Sequence, residues 1–237
     1  GFEPMLPGGV KVDYGDLDAL TAAIDDETCA VIVEPIQGEG GVNIPSVEFM
    51  QGVRRLCDER GVLMICDEVW TAPARTGAWF AYQHYDIAPD VMTLGKATAG
   101  GAPVAACVAS PKYADVLQPG KHGCTLGGNP LCAAAGAATM RLIADEDLVA
   151  AATVKGQTVI EAIRSAGIGK VKEVRGKGLM IGVELDGPAR GVVEACLEAG
   201  LIVNFTQETV LRLAPALTIS DADLAAAVEI LLAAMKT

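Results

Sequence analysis

Three short apolar runs without polar alternation constrain the fold of this chain more than any other feature. Leu63–Cys66, Val91–Leu94 and Val104–Ala109 are continuous hydrophobic segments of strand length. A strand of this kind is covered on both faces, as in parallel sheets that lie between two layers of helices. The sequence therefore predicts an α/β fold with a mainly parallel sheet between helices.

Further elements are expected on either side of these runs. Cys29–Val33 is another short β-rich run, and Phe49–Glu59 has the apolar spacing of a helix. Pro130 is expected to open an alanine-rich helix to about Ala144, because proline suits the first turn of a helix. Another helix is predicted over 148–166.

The pattern changes after Gly167, where short strands and helices alternate closely. Ser220 precedes the last helix and is expected to cap it. This mixture indicates a small α+β domain, so we expect one domain over residues 1–166 and a second over 167–237. The strands predicted in the second domain are Val171–Val174, Leu179–Leu185, Leu201–Val203 and Val210–Leu213, and its helices are Pro188–Glu198 and Asp221–Met235.

Two charged residues stand at the carboxyl ends of neighbouring apolar strands. Asp67 follows Leu63–Cys66, and Lys96 follows Val91–Leu94 and precedes small residues and glycines. We expect the Lys96 ammonium to be poorly solvated, which lowers its pKa and makes the amine a nucleophile toward an aldehyde. Such an amine beside a carboxylate is what a pyridoxal phosphate enzyme requires. A solvated lysine and an acidic loop remain the alternative interpretation.

Composition limits the classes of function that remain. The net charge of −12 disfavours nonspecific binding to nucleic acids or anionic membranes, and no apolar stretch reaches transmembrane length. The seven cysteines form no C-x-x-C pair, and no histidine lies at metal-binding spacing, so we expect reduced, mostly buried thiols and no metal site. For a chain of 237 residues, these features agree with a compact cytoplasmic enzyme.

Four motifs, in family order, carry a resemblance that extends over essentially the whole chain. The chain resembles the class III (fold type I) pyridoxal-phosphate aminotransferases, in particular the acetylornithine and ornithine aminotransferase branch. The motifs are Glu34-Pro35-Ile36-Gln37-Gly38-Glu39-Gly40-Gly41, Cys66-Asp67-Glu68-Val69 with Arg75-Thr76-Gly77, Thr93-Leu94-Gly95-Lys96-Ala97, and His122-Gly123-Cys124-Thr125-Leu126-Gly127-Gly128-Asn129-Pro130.

The resemblance also implies that this chain is part of a longer enzyme. Residues 1–166 correspond to the C-terminal part of a large cofactor-binding domain, and residues 167–237 to a small C-terminal domain. The upstream part of such an enzyme holds the phosphate-binding helix start and the aromatic residue that stacks on the cofactor. We therefore expect this polypeptide alone to be inactive.

Cofactor contacts can be carried over onto five positions. The resemblance implies that Lys96 binds pyridoxal 5'-phosphate covalently and then moves a proton, and that Asp67 keeps the pyridine nitrogen protonated. Val69 packs on the ring face, although a plain core valine is the alternative. Cys124 and Thr125 reach the cofactor of a neighbouring subunit, which implies a homodimer with shared active sites. Alternatively, Thr125 caps the helix that starts near Pro130.

Arg212 lies within an apolar strand, where an unpaired guanidinium is costly, so it needs an anion. The resemblance implies that this anion is the substrate α-carboxylate, with Glu39 as the partner of Arg212 between substrates. A purely structural salt bridge is the alternative. At position 70 most relatives have glutamine, which contacts the cofactor's phenolic oxygen. Here Trp70 either donates that hydrogen bond from a shifted loop or tunes the cofactor differently.

These residues imply a reaction. The expected enzyme moves an ω-amino group from an acetylornithine- or ornithine-like donor to 2-oxoglutarate. The alternatives left open are a 4-aminobutyrate-type ω-transaminase, an aminomutase, or an inactive truncated chain.

Overall fold

The computed structural model describes residues 3–4 and 7–236, which form two four-stranded sheets with helices packed against them. The helices are α1 (Leu17–Ala23), α2 (Val47–Arg60), α3 (Pro130–Asp145), α4 (Leu148–Ser165), α5 (Arg190–Glu198) and α6 (Asp221–Ala234). The strands are β1 (Ala30–Val33), β2 (Leu63–Asp67), β3 (Val91–Leu94), β4 (Ala106–Ala109), β5 (Val171–Lys177), β6 (Met180–Leu185), β7 (Asn204–Thr206) and β8 (Val210–Leu213).

The first sheet has the order β1-β2-β3-β4, with β1, β2 and β3 parallel and β4 antiparallel to β3. This confirms the mainly parallel sheet. The buried side of β1 and β2 packs on α1 and α2 through a core that includes Met50, Val53 and Met64. α1 was not predicted, although Asp16 caps its first turn by accepting a hydrogen bond from the Ala19 N–H at 2.8 Å.

The expectation that all strands of this sheet are covered on both faces was wrong at its edges. β4 begins at Ala106 rather than Val104, and most of its residues, including Val108, are exposed. On β1, Ile32 is 66% exposed. Both strands lie at an edge of the described sheet, where each has a single hydrogen-bonded neighbour. Continuous apolar character therefore does not distinguish a central strand from an edge strand here.

The second sheet is antiparallel, with the order β5-β6-β8-β7. Val159 and Ile163 of α4 pack into its core together with Leu231 of α6, so α4 contacts this sheet although it precedes residue 167. The boundary between residues 166 and 167 stays a prediction. Ser220 caps α6 as expected, accepting a hydrogen bond from the Asp223 N–H at 3.0 Å.

The strand predicted at Leu201–Val203 is absent, and β7 begins at Asn204. The reason is local. The Leu201 N–H donates to the Cys196 carbonyl at 2.8 Å, and Gly200 adopts φ +87°, so this backbone completes the end of α5. The apolar side chains of Leu201 and Val203 still pack against the second core. Among the described residues, no helix is long and apolar enough to cross a membrane.

Candidate active site

The parallel direction of β1, β2 and β3 brings three charged residues to one edge of the first sheet. Glu34 follows β1, Asp67 ends β2, and Lys96 comes two residues after the end of β3. Open α/β sheets bind ligands in the crevice outside the carboxyl ends of their strands. The sequence pattern identified Asp67 and Lys96 at this edge but assigned no role to Glu34, whose position after an apolar strand is the same signal.

Asp67 is half-buried, and neighbouring groups fix its orientation. Its Oδ1 accepts hydrogen bonds from the Val69 N–H at 3.0 Å and from the Thr93 hydroxyl at 3.2 Å. Thr93 lies opposite Asp67 in the β2–β3 pairing. Val69 packs against Gly95, where a Cβ would lie 3.3 Å from Val69 Cγ1. The strand end is therefore ordered by short-range contacts around the carboxylate.

Lys96 begins a short 3₁₀ turn and has φ +41°, an unfavourable backbone conformation for a residue with a side chain. The Lys96 side chain is exposed in the described chain, so it is less buried than a position at the mouth of a strand suggested. Its surroundings nevertheless lower the pKa of the ammonium, mainly through partial desolvation, and Arg212 acts in the same direction. The nearby carboxylates of Glu39, Asp67 and Glu34 oppose this shift.

Arg212, on β8, is buried, and its side chain is 6% exposed. Its Nη1 forms an ion pair with Glu39 Oε1 at 2.8 Å, and this contact holds the pKa of Glu39 below its usual range. Apart from this ion pair, the buried Nη1 has no acceptor among the described residues. With its amide oxygen toward the guanidinium, Asn204 accepts a hydrogen bond from Nη2 at 2.9 Å.

Trp70 lies between Lys96 and Arg212. The Lys96 Nζ is 4.5 Å and the Arg212 Cζ 4.2 Å from the centroid of the indole ring, both within the range of cation–π contacts. The indole N–H donates to Glu39 Oε1 at 3.2 Å. In this structure the Trp70 N–H therefore points at Glu39, the residue that forms the ion pair with Arg212.

Glu34 is a half-buried carboxylate that the sequence analysis missed. It accepts a hydrogen bond from the Gly38 N–H at 2.8 Å, and burial raises its pKa. It lines a cavity of about 390 Å³ that also contacts Gln37 and Asp67 at the carboxyl ends of β1 and β2. A larger cavity, of about 480 Å³, touches Trp70 and Arg212 and is otherwise walled mainly by apolar residues of the second sheet and α6.

Cys124 and Thr125 lie on an exposed turn, apart from the described contacts of Lys96, Trp70 and Arg212. All of residues 114–128 are exposed. The alternative that Thr125 caps the following helix is wrong, because the Asn129 side chain caps α3 by accepting from the Cys132 N–H at 3.0 Å.

Comparison with known proteins identifies the family. The family model "Aminotransferase class-III" matches residues 9–235. The chain belongs to the class III aminotransferases. It is 47% identical to the acetylornithine aminotransferase of Mycolicibacterium smegmatis, aligned over 100% of this chain and 61% of that protein. It is 46% identical to ornithine aminotransferase 2 of Staphylococcus aureus, over 97% of this chain and 58% of that protein.

Solved structures of class III aminotransferases have the same fold. The ornithine aminotransferase of Toxoplasma gondii superposes with a TM-score of 0.94 and 35% identity, over 99% of this chain and 58% of that chain. The acetylornithine aminotransferase of Elizabethkingia anophelis gives a TM-score of 0.90 and 36% identity, over 97% and 63%. The fold is therefore that of the fold type I aminotransferases. This chain spans about three-fifths of the length of these relatives.

Class III aminotransferases depend on pyridoxal phosphate, and the Toxoplasma gondii structure is described as having partial occupancy of PLP at its active site. The donor set of this chain fits that cofactor. Asp67 presents a carboxylate at a strand end, which suits a protonated pyridine nitrogen, and Lys96 presents an amine at the same edge. The buried guanidinium of Arg212 pairs with the Glu39 carboxylate in this structure, so its position suits a carboxylate ligand.

Proposed function

We propose that this chain carries part of the active site of an aminotransferase that takes an ω-amino group from an acetylornithine- or ornithine-like donor and passes it to 2-oxoglutarate. The observation that carries the proposal is the arrangement of an amine, a carboxylate and a buried guanidinium around the carboxyl edge of the first sheet. The names of the similar proteins support the choice of donor.

Lys96 and Asp67 have complementary roles in this proposal. When bound, pyridoxal phosphate supplies an electron sink that stabilises negative charge on the reacting carbon. Asp67, oriented by the Val69 N–H and the Thr93 hydroxyl, would hold a proton at the pyridine nitrogen. The lowered pKa of Lys96 favours the neutral amine, which suits covalent attachment and then proton transfer as a general base.

Arg212 is proposed to bind a substrate carboxylate. Its planar guanidinium can contact both carboxylate oxygens, and burial strengthens such contacts because competing water is excluded. Glu39 occupies the guanidinium in the described structure, and its side chain is 69% exposed. An exposed carboxylate can leave more readily than a buried one, so we propose that Glu39 neutralises Arg212 between substrates.

The proposed assembly is a homodimer with shared active sites. The exposed segment 114–128 holds Thr125 and Cys124 together with Val116, Leu117 and Leu126, which are 66%, 66% and 76% exposed. Leu131, at the start of α3, is 80% exposed. Exposed apolar side chains that lie in one segment favour an interface with another chain. A second copy that covers this segment would bring Thr125 to its own cofactor site.

Turnover by the complete protein tests the proposal. Purified protein with pyridoxal phosphate and 2-oxoglutarate is incubated separately with N-acetylornithine, ornithine and 4-aminobutyrate, and glutamate formation is measured. We expect kcat/KM to be highest for N-acetylornithine or ornithine. Lys121→Ala, at an exposed lysine outside the proposed site, is the matched control for substitutions at Lys96. A preference for 4-aminobutyrate, or no glutamate from any donor, would contradict the proposed function.

A further inference from the structure

The indole of Trp70 contacts three charged groups, those of Lys96, Arg212 and Glu39. Its ring lies against both the Lys96 ammonium and the Arg212 guanidinium, at 4.5 and 4.2 Å. Its N–H donates to the same Glu39 oxygen that pairs with Arg212. The face of the ring therefore contacts the two cations, and the N–H at its edge contacts the Glu39 carboxylate.

The surrounding backbone fixes the position of this ring. Gly38 lies directly against it, and a Cβ at position 38 would be 2.4 Å from Trp70 Cδ1. The ring also packs against the buried cluster that contains Ile36 and Met180. The Glu39 carbonyl accepts a hydrogen bond from the Thr206 hydroxyl and another from the Gln207 side-chain amide at 3.0 Å. These contacts fix the Trp70 ring and the Glu39 backbone. In the Glu39–Arg212 pair, the exposed Glu39 side chain is therefore freer to move than the buried Arg212 side chain.

We propose that Trp70 is a specificity-determining residue that holds Glu39 on Arg212 and so raises the barrier to dicarboxylate substrates. This inference rests on the proposed function, in which Arg212 binds a substrate carboxylate. A dicarboxylate that enters at Arg212 has to displace Glu39, and in doing so it breaks the Trp70 N–H···Oε1 hydrogen bond as well as the ion pair. Amino donors that leave the Glu39–Arg212 pair closed do not meet this cost.

A ring that only fills space makes a different prediction. In that case a phenyl ring at position 70 leaves dicarboxylate affinity unchanged, or weakens it through poorer packing. Loss of the N–H from a ring that holds Glu39 instead tightens dicarboxylate binding, because one hydrogen bond to a carboxylate no longer has to be broken. The sign of the change separates the two roles.

Binding of glutarate, a five-carbon dicarboxylate without an amino or oxo group, tests the inference without turnover. The complete protein, free of cofactor, is titrated by calorimetry as wild type, Trp70→Phe, Glu39→Gln and the double variant. From the usual contribution of one hydrogen bond, we expect Trp70→Phe to bind glutarate about fivefold more tightly. In the Glu39→Gln background the same substitution should change affinity by less than about twofold, since the carboxylate that Trp70 holds is gone.

Trp79→Phe is the matched control, because it removes an indole N–H from a half-buried residue that packs against Ala74, away from Glu39. Its glutarate affinity should equal that of the wild type. If Trp70→Phe loses cooperative thermal unfolding, Trp70→Leu replaces it as a side chain without a hydrogen-bond donor. Unchanged or weaker glutarate binding, or an equal effect in both Glu39 backgrounds, overturns the inference. Absence of transamination in the wild type would overturn the proposed function and leave the binding result to be judged separately.

Discussion

At the scale of single residues, the backbone of Lys96 matters as much as its amine. A residue with a side chain at φ +41° stores strain on the order of 1–3 kcal/mol. The turn that imposes it is held by Thr98, whose hydroxyl and N–H both bond to the Gly95 carbonyl, at 2.7 and 3.0 Å. The direction of the Lys96 side chain is therefore set by local structure.

Lys96→Ala should abolish transamination and covalent attachment of pyridoxal phosphate in the complete protein. Alanine retains a Cβ, so the backbone strain stays and only the amine is lost. Absorbance of the bound cofactor and borohydride trapping followed by peptide mass spectrometry check this result. Cofactor trapped on a different lysine in the variant would refute the assignment of Lys96.

Asp67→Asn should leave the fold intact and lower turnover by several orders of magnitude. The amide keeps an oxygen for the Val69 N–H and the Thr93 hydroxyl, but it carries no charge to stabilise a protonated pyridine nitrogen. Steady-state kinetics and a thermal melt separate the two effects. If the variant retains more than about a tenth of its activity, the loss is below ~1.4 kcal/mol and Asp67 is not the partner of the nitrogen.

The reactivity of Lys96 toward a small aldehyde should depend on pH with a midpoint below about 10.4, the ordinary pKa of lysine. Desolvation and Arg212 lower its pKa, whereas Glu39, Asp67 and Glu34 raise it. Glu39→Gln removes one of the opposing carboxylates and should therefore move the midpoint lower still. Reductive methylation of cofactor-free protein, followed by mass spectrometry across pH, measures both midpoints. A midpoint that rises in Glu39→Gln would contradict this account of the electrostatics.

The sequence predicts the position of a side chain where a single strand determines it. Asp67 and Lys96 were found because each follows an apolar run, and parallel strands bring those ends to one edge. The Glu39–Arg212 contact came from the resemblance, because it joins a turn after β1 to a strand of the second sheet. The direction of the Trp70 N–H could not be predicted, since it depends on the space that Gly38 leaves free.

At the scale of elements, glycines allow the backbone of α4 to approach the turn that joins β5 and β6. A Cβ on Gly156 of α4 would lie 1.9 Å from the Gly178 carbonyl oxygen, in the turn between β5 and β6. Gly178 itself has φ +52° and lies against the backbone of Thr76 and Gly77. α4, the turn between β5 and β6, and the loop that contains Thr76 therefore pack against one another through backbone atoms.

Gly156→Ala should destabilise the protein by about 1–3 kcal/mol, because the obstacle is backbone and cannot rotate away. Gly191→Ala in α5 is the matched control. Nothing lies within 4 Å of its Cβ position, so the substitution should stabilise the helix by about 0.5–1 kcal/mol. Denaturant unfolding of both variants measures the difference. Equal stability of the two variants would mean that α4 can shift away from the turn at little cost.

The element boundaries that the sequence predicted well are those with a local cause. The helix predicted to end at Glu59 ends at Arg60, where Gly61 adopts the left-handed conformation. α3 begins at Pro130 as expected, capped by Asn129, and Val210–Leu213 is a strand with the expected limits. Leu201–Val203 was wrong because its apolar pattern suits either a strand or the packed end of a helix. The strand begins only at Asn204, where residues 204–206 pair with β8, and a local sequence pattern does not show that pairing.

At the scale of the whole molecule, the exposed apolar segment around residue 125 should control association. In the proposed homodimer, the double substitution Leu126→Gln and Leu131→Gln should weaken association of the complete protein and lower its specific activity. Leu142→Gln with Leu197→Gln, two exposed leucines outside that segment, is the control and should not. Analytical ultracentrifugation over a concentration series measures the change. A dimer of unaltered affinity in the first variant would place the interface elsewhere.

The close approach of Gly38 to Trp70 also restricts how this site can be redesigned. A β-carbon at position 38 would overlap an indole at position 70, so the two positions cannot be varied independently. A library that varies position 70 can explore small and large side chains only while position 38 is glycine. Variants that first gain a side chain at 38 should tolerate only small residues at 70, which makes the order of mutations decisive.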